Sequence, residues 1–192
     1  MNKKNQKLNL SLDKSSNSLI LIWPDKTMSK NYTIEAKKLY IEIMNFYTEN
    51  HINIFLICKD IGNLKNDMSN YEILFNRIKC FEFLCNDIWV RDFSPIQVKS
   101  EINNKIGYLS LNFNGYGGKY KFEHDSSFTD FITGCHELSE EQINEPLFVD
   151  DIFFEGGNLV YDNDICFTNF SPIKKHNGHI HLNIGKLHEQ FS

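Results

Sequence analysis

Short apolar runs and longer amphipathic stretches alternate along the first part of the chain. Residues 19–23 and 52–58 are apolar runs of strand length. Between them, residues 32–47 space their apolar side chains at helical intervals, which predicts a helix. The side chains predicted to share its apolar face are Ile34, Leu39, Ile43 and Phe46 or Tyr47. The pattern therefore predicts a strand–helix–strand unit at the start of the fold.

The same alternation continues to about residue 168, which makes the predicted fold class α/β. Later strands are expected over 80–84, 106–113 and 147–154, a hairpin over 159–168 that turns at 162–163, helices over 71–78 and 128–135, and an extended segment over 89–98. Residues 1–17 are polar and are predicted to be a flexible N-terminal tail. We expect one domain over 18–175 and a His-rich C-terminal tail over 176–192.

Composition narrows the class of partner and the compartment. A formal net charge of −5 argues mildly against nucleic acid or an anionic membrane, since both need a basic face. The longest apolar run is far too short to cross a bilayer. The five cysteines include no C-x-x-C pair, which fits free thiols in a reducing compartment. We expect a cytoplasmic protein without nucleic-acid or membrane partners.

The densest cluster of polar residues beside a predicted strand is residues 86–95. If the segment is extended, Trp89, Arg91 and Phe93 share one face, and Asp92 lies on the other with Val90. An indole can stack over a delocalised cation, and a carboxylate can bind a guanidinium through two parallel hydrogen bonds. The alternative is structural: Arg91 pairs with Asp87 and Asp92 caps a turn.

Two glycine-containing segments follow. In Glu155-Gly156-Gly157-Asn158, the glycines allow a positive φ or a close backbone approach, and they place Glu155 and Asn158 around a tight bend. The alternative is a simple turn with an exposed Glu155. Residues 114–118, Asn-Gly-Tyr-Gly-Gly, lack the Lys-Ser or Lys-Thr of a phosphate loop and are interpreted as a flexible loop or lid.

Four histidines, His176, His179, His181 and His188, lie near the C-terminus. His179 and His181 would share one face of a strand, a spacing that can hold zinc or nickel. No cysteine or carboxylate completes a ligand set nearby, so a solvated tail is the alternative, and we predict no metal.

Taken together, the segments resemble the agmatine deiminase family, which is grouped with the bacterial-type peptidyl-arginine deiminases. The matching segments, in order, are Ile-Trp-Pro at 22–24, Asn-Asp-Ile-Trp-Val-Arg-Asp at 86–92 with Pro95, Asn-Phe-Asn-Gly-Tyr-Gly-Gly at 112–118 with Tyr120 and Asp125, and Phe-Glu-Gly-Gly-Asn at 154–158. Their co-occurrence in order is more specific than any one of them.

The resemblance implies a pentein-type α/β propeller of ββαβ modules, of which this chain would hold only part. It also implies a hydrolase without cofactors, in which a cysteine thiolate attacks the guanidinium carbon and a histidine shuttles protons as ammonia leaves. Agmatine would become N-carbamoylputrescine, a step of polyamine and putrescine biosynthesis. By the motif match, Asp92 would be the catalytic carboxylate that holds the guanidinium, Trp89 part of the pocket wall, and Glu155 and Asn158 substrate-binding residues.

The family's catalytic histidine motif and nucleophilic cysteine lie in a later half, whereas this sequence stops at Ser192. Residues 177–181, Asn-Gly-His-Ile-His, come close to the histidine motif, but His181 stands where the family has Asp. We therefore expect a truncated chain whose activity is an open question, and a partial propeller whose open strand edges promote self-association.

The sequence is compatible with three functions: an agmatine-type or peptidyl-arginine deiminase, a catalytically dead relative that binds cationic guanidines or a partner chain, and a metal-binding protein that uses the His-rich end.

Overall fold

The computed structural model describes residues 8–9, 18–25, 30–100, 106–135, 147–153, 155–162 and 165–168. The chain divides into two compact units. One unit is Ser15–Val90, and the other combines Met1–Lys14 with Arg91–Ser192. The described residues mix helices and strands, as predicted from the α/β pattern.

The unit Ser15–Val90 contains a three-stranded parallel sheet with the order β2-β3-β4. Its elements are β2 (Ser18–Ile22), α1 (Lys30–Glu49), β3 (Asn53–Cys58), α2 (Ile61–Asp67), a 3₁₀ turn (Ser69–Tyr71), α3 (Glu72–Phe75) and β4 (Lys79–Glu82). In the central strand β3, every residue after Asn53 is buried, as expected for a parallel strand with both faces covered. The predicted strand–helix–strand unit is confirmed, whereas α2 was not predicted.

The predicted apolar face of α1 is not the face that packs on the sheet. Ile34, Leu39, Phe46 and Tyr47 are exposed and Ile43 is half-buried, so none of this set is in the core. The prediction of one shared face is also wrong for Ile34, which lies on a different side of the helix from Leu39 and Ile43. The buried residues of α1 are Thr33, Ile41 and Met44.

Hydrogen bonds and packing explain the choice of face. Ile41 and Met44 join the core cluster with Leu56 and Trp23. Thr33 Oγ1 donates a hydrogen bond to the Asp25 carbonyl oxygen at 3.1 Å, so the buried hydroxyl has a partner. A polar residue on the buried face is therefore tolerated, and the more apolar face is left outside.

Two thiols lie on neighbouring strands of this sheet. Burial, with a smaller contribution from the neighbouring Cys80, raises the pKa of Cys58 to about 12. Burial also raises the pKa of Cys80 to about 11. Since the thiolate is the nucleophile, neither cysteine is reactive at neutral pH.

The other unit contains a mixed sheet with the order β1-β5-β6-β7. Its elements are β1 (Leu8–Asn9), β5 (Ile96–Ser100), β6 (Ile106–Asn112), α5 (Gly115–Gly118, a distorted turn), a 3₁₀ turn (Asp125–Ser127), α6 (Phe128–Gly134), β7 (Leu147–Phe153), a 3₁₀ turn (Gly156–Asn158), β8 (Leu159–Asp162) and β9 (Ile165–Thr168). β1 and β6 pair antiparallel with β5, and β7 pairs parallel with β6. β8 and β9 form the predicted hairpin. Because β1 pairs with β5, the prediction of a loose tail is wrong for Leu8–Asn9.

The segment before β5 begins with a helical turn, α4 (Val90–Phe93). The prediction of an extended segment is therefore wrong for these residues, and so is the division of its side chains between two strand faces. Phe93 is buried, with its ring centroid 5.6 Å from that of Phe113 and 5.3 Å from that of Phe128. This aromatic packing stabilises the turn, and Pro95 limits it because the residue before a proline disfavours helical geometry.

No helix in the described part of the chain is both long and apolar enough to cross a membrane. The His-rich tail and the segment 177–181 lie outside the described residues.

Candidate functional site

Asp92 is held from two sides by hydrogen bonds. It directly precedes the buried Phe93, and its own side chain is half-buried. Asp92 Oδ2 accepts the hydroxyl hydrogen bond of Tyr116 at 2.7 Å, and Asp92 Oδ1 accepts the backbone N–H of Gly157 at 3.1 Å. Each carboxylate oxygen has two lone pairs, so one donor on each oxygen leaves capacity for a second. The carboxylate is oriented without being saturated by these two contacts.

The two glycines of the turn Gly156–Asn158 allow this approach. A Cβ on Gly156 would collide with the carbonyl oxygen of Arg91, and a Cβ on Gly157 would collide with Asp92 Oδ1. The sequence suggested either a positive φ or a close backbone approach, and the structure shows the close approach. The glycines thus bring the backbone N–H of residue 157 within reach of Asp92.

Tyr116 reaches Asp92 from a strained turn. Its φ of 60° and ψ of 48° lie in the left-handed region, which costs a non-glycine residue about 1–3 kcal/mol. Edge-to-face contacts with Phe113 at 5.3 Å and Tyr120 at 5.8 Å between ring centroids offset part of this cost. Asn114 fixes the turn, because its side-chain oxygen accepts the N–H of Gly117 at 2.8 Å. The turn is therefore a built feature that directs the Tyr116 hydroxyl.

Glu155 and Asn158 form a second polar pair in the same unit. The Asn158 side chain donates to Glu155 Oε2 at 2.9 Å, and the Asn158 backbone N–H donates to the Glu155 carbonyl oxygen at 2.9 Å. Burial raises the pKa of Glu155, the negative charge of Asp92 adds to that rise, and the hydrogen bond from Asn158 opposes it. The two carboxylates are close enough to repel each other, an arrangement that a cation between them would relieve.

The structure thus brings together three of the four predicted site residues, Asp92, Glu155 and Asn158. Trp89 belongs to the unit Ser15–Val90 and is 62% exposed, and its role in the pocket wall stays a prediction. Tyr116 lies in the motif at 112–118, and the sequence predicts no role for it. The signal that could have identified it is an aromatic residue enclosed by glycines, which marks a turn with positive φ.

No group of three or more His, Cys, Asp or Glu side chains within the described ranges is arranged to hold a metal ion. The described site contains the carboxylates of Asp92 and Glu155, together with the Asn158 amide and the Tyr116 hydroxyl that bond to them. The carboxylates can orient an organic cation through charge-assisted hydrogen bonds.

Comparison with solved structures identifies the class of fold. An agmatine deiminase of C. jejuni matches with a TM-score of 0.64 at 20% identity, covering 95% of this chain and 48% of that chain. A single-residue variant of the C. jejuni agmatine deiminase, solved with substrate bound, matches with a TM-score of 0.57 at 19% identity, covering 83% of this chain and 41% of that one. The agmatine deiminase of Enterococcus faecalis matches with a TM-score of 0.56 at 16% identity, covering 82% of this chain and 40% of that one. The described elements therefore share the fold of these agmatine deiminases, and the chain spans less than half the length of these structures.

The sequence profile of the Porphyromonas-type peptidyl-arginine deiminases matches residues 13–188. The chain belongs to this family, as its motifs predicted. A search of curated proteins found no match.

Proposed function

We propose that this chain provides the guanidinium-holding part of an agmatine deiminase, with Asp92 as the carboxylate that binds the substrate's cationic group. The observation that carries the proposal is the orientation of Asp92 by Tyr116 and Gly157. Family membership and the likeness to agmatine deiminase structures support it.

The chemistry of the substrate requires such a carboxylate. The charge of a guanidinium is delocalised, which makes its carbon a poor electrophile, so that orientation and acidic partners must lower much of the barrier. A planar guanidinium presents parallel N–H groups that match the two oxygens of a carboxylate. Asp92 can accept them on its remaining lone pairs, while Glu155, fastened by Asn158, adds negative charge.

The proposed reaction is hydrolysis of agmatine to N-carbamoylputrescine and ammonia, in the cytoplasm and without metal or organic cofactor. The covalent step would use a cysteine thiolate, as the family resemblance implies. Cys58 and Cys80 are unsuited to it because of their raised pKa values. Peptidyl-arginine is the alternative substrate, since it presents the same guanidinium.

A second candidate function is binding of a cationic guanidine without turnover. It is favoured by the raised pKa values of Cys58 and Cys80, which keep both of these thiols protonated at neutral pH. In both cases we propose a partial pentein-type propeller, and self-association through its open strand edges follows as a further expectation.

Isothermal titration calorimetry with agmatine tests the proposal. Putrescine, which lacks the guanidinium, is the control ligand. We expect binding of agmatine that Asp92→Asn weakens at least tenfold, since a charge-assisted pair is lost. Asp130→Asn, which removes an exposed carboxylate of the same unit, is the matched control and should bind normally.

Equal binding of agmatine by the wild type and Asp92→Asn would refute the role of Asp92. A colorimetric assay for the ureido product then separates the two functions: product formation supports the deiminase, and binding without product supports the non-catalytic relative.

A further inference from the structure

The face of α1 that points away from the core carries a row of large apolar side chains. Tyr32, Leu39 and Phe46 are 69%, 53% and 61% exposed. Ala36 and Ile43 lie between them and are half-buried. We call these five residues the apolar stripe. Exposed apolar side chains are ordinary when scattered, but a contiguous row along a helix marks an interaction surface.

The spacing of the stripe is that of a coiled-coil seam. Successive members are four, three, four and three residues apart, from Tyr32 to Phe46. This 3.5-residue period keeps apolar side chains facing a partner helix over two heptads, with alternate members at the d and a positions. The face that packs on the sheet is a separate one that carries Thr33, Ile41 and Met44. α1 therefore has two apolar faces, and the structure of its own unit uses only one.

The stripe is bordered along one edge by acidic residues. Glu35, Glu42 and Glu49 recur at seven-residue intervals at the g positions, and all three are exposed. Residues at g lie beside the seam and select the partner by charge. A helix with lysine or arginine along its facing edge would complement this row.

We propose that the apolar stripe of α1 docks a basic amphipathic helix of a partner protein, with Glu35, Glu42 and Glu49 pairing with its lysine or arginine side chains. The heptad spacing specifies a helix as the bound element, and the acidic edge specifies its charge.

A second copy of this chain fits the stripe less well. In an antiparallel pair the g positions face each other, so that Glu42 would lie opposite Glu42 of the copy, and like charges there are destabilising. In a parallel pair the g positions face the e positions, which are Thr33, Tyr40 and Tyr47 and carry no positive charge. Neither arrangement gives the acidic row a cationic partner.

Fluorescence anisotropy with synthetic helices tests the proposal on the full chain. The basic probe is a labelled peptide of about three heptads with Leu at a and d and Lys at e and g. The acidic probe has Glu in place of Lys. A third probe keeps Lys but has Ser at a and d, which controls for non-specific attraction to a chain of net charge −5.

We expect the basic probe to bind at least tenfold more tightly than either control probe. Leu39→Ser should weaken it about tenfold or more, because Leu39 is the central member of the stripe and centrally placed anchors dominate such interfaces. Phe46→Ser, at the end of the stripe, should weaken it less. Ile34→Ser is the matched control, since Ile34 is an exposed apolar residue of the same helix that lies off the stripe. Reversing all three glutamates to lysine should make the acidic probe the preferred one.

Three results would overturn the proposal. If the basic probe and its Ser-substituted version bound equally, the net charge of the chain would explain the binding without the apolar stripe. If Ile34→Ser weakened binding of the basic probe as much as Leu39→Ser, the binding site would not be the apolar stripe. A dimer in sedimentation velocity that Leu39→Ser converts to monomer would make a second copy the occupant instead. Circular dichroism confirms that each variant is folded.

Discussion

The parallel sheet of the unit Ser15–Val90 and the surroundings of Asp92 are built by different means. The sheet depends on volume: β3 is buried along most of its length, and its side chains are replaceable in principle by others of equal size. The surroundings of Asp92 depend on missing side chains at two glycines and on the orientation of one tyrosine hydroxyl. Two glycines leave room for a carboxylate, and one tyrosine in a left-handed turn donates to it. Hydrophobic patterning therefore identifies the sheet, while the candidate site depends on contacts between residues far apart in sequence.

The largest expected effect tests the sheet. Leu56 is fully buried in the centre of β3 and belongs to the core cluster. Leu56→Ala should lower the free energy of unfolding by about 2–5 kcal/mol, since the lost burial is joined by a cavity. Urea denaturation followed by circular dichroism measures it. A loss below about 1 kcal/mol would mean that this core is loosely packed, and the contrast with the site would fail.

The next effect tests whether the lack of a side chain at Gly156 is needed for the backbone to pack beside Arg91 and Asp92. Gly156→Ala should cost about 2–3 kcal/mol of unfolding free energy, because the new Cβ meets the Arg91 carbonyl oxygen and backbone cannot easily yield. Gly134→Ala is the matched control, since a Cβ there meets nothing within 4 Å. It should be neutral or slightly stabilising, by up to about 1 kcal/mol. Equal effects of the two variants in urea denaturation would remove the steric argument.

A smaller effect tests whether the Tyr116 hydroxyl orients the Asp92 carboxylate. Tyr116→Phe removes the hydroxyl that donates to Asp92 and keeps the ring contacts. Affinity for agmatine should fall about two- to tenfold, corresponding to one hydrogen bond of roughly 0.5–1.5 kcal/mol. Tyr120→Phe, which alters a neighbouring and exposed ring, should leave the calorimetric affinity unchanged. A normal affinity for Tyr116→Phe would show that Asp92 is oriented by other contacts.

The smallest effect concerns pH. Because its folded-state pKa is raised, Glu155 favours folding when protonated, and this contribution is lost as pH rises through the folded-state pKa. Glu155→Gln should therefore raise the melting temperature at neutral pH relative to wild type. The gain should vanish near the pH at which unfolded glutamate is also protonated. Because the side chain is only half-buried and water screens it, the expected gain is below about 1 kcal/mol.

Melting curves of both proteins from about pH 3 to pH 8 measure this difference, a range that begins well below the ordinary glutamate pKa. A melting-temperature difference that does not change with pH would assign the effect to packing.

The position of α1 followed from the sequence to within two residues at each end, whereas its buried face did not. The helix carries two apolar stripes, and pattern alone favours the more apolar one. Which stripe meets the sheet depends on partners remote in sequence: Trp23 donates to Asp67 at 3.0 Å, and Lys37 donates to the same carboxylate at 2.6 Å. A periodicity argument contains no information about such partners.

The candidate site shows the same division. Asp92, Glu155 and Asn158 were identified through motifs, and the structure places them in one unit. The helical turn at Asp92 was not identified, because it depends on the packing of Phe93 against Phe113 and Phe128. Tyr116 was missed for a related reason: its hydroxyl acquires a function only once the turn conformation directs it to a residue far back in the chain.

The thiol of Cys58 has a practical consequence. Buried and protonated at neutral pH, it is closed to alkylating reagents as long as the strands around it stay packed. The rate at which an alkylating reagent modifies Cys58 therefore reports how often the parallel sheet opens. Mass spectrometry of the peptide that contains Cys58 measures this rate at a single residue, without the need to engineer a cysteine into the chain.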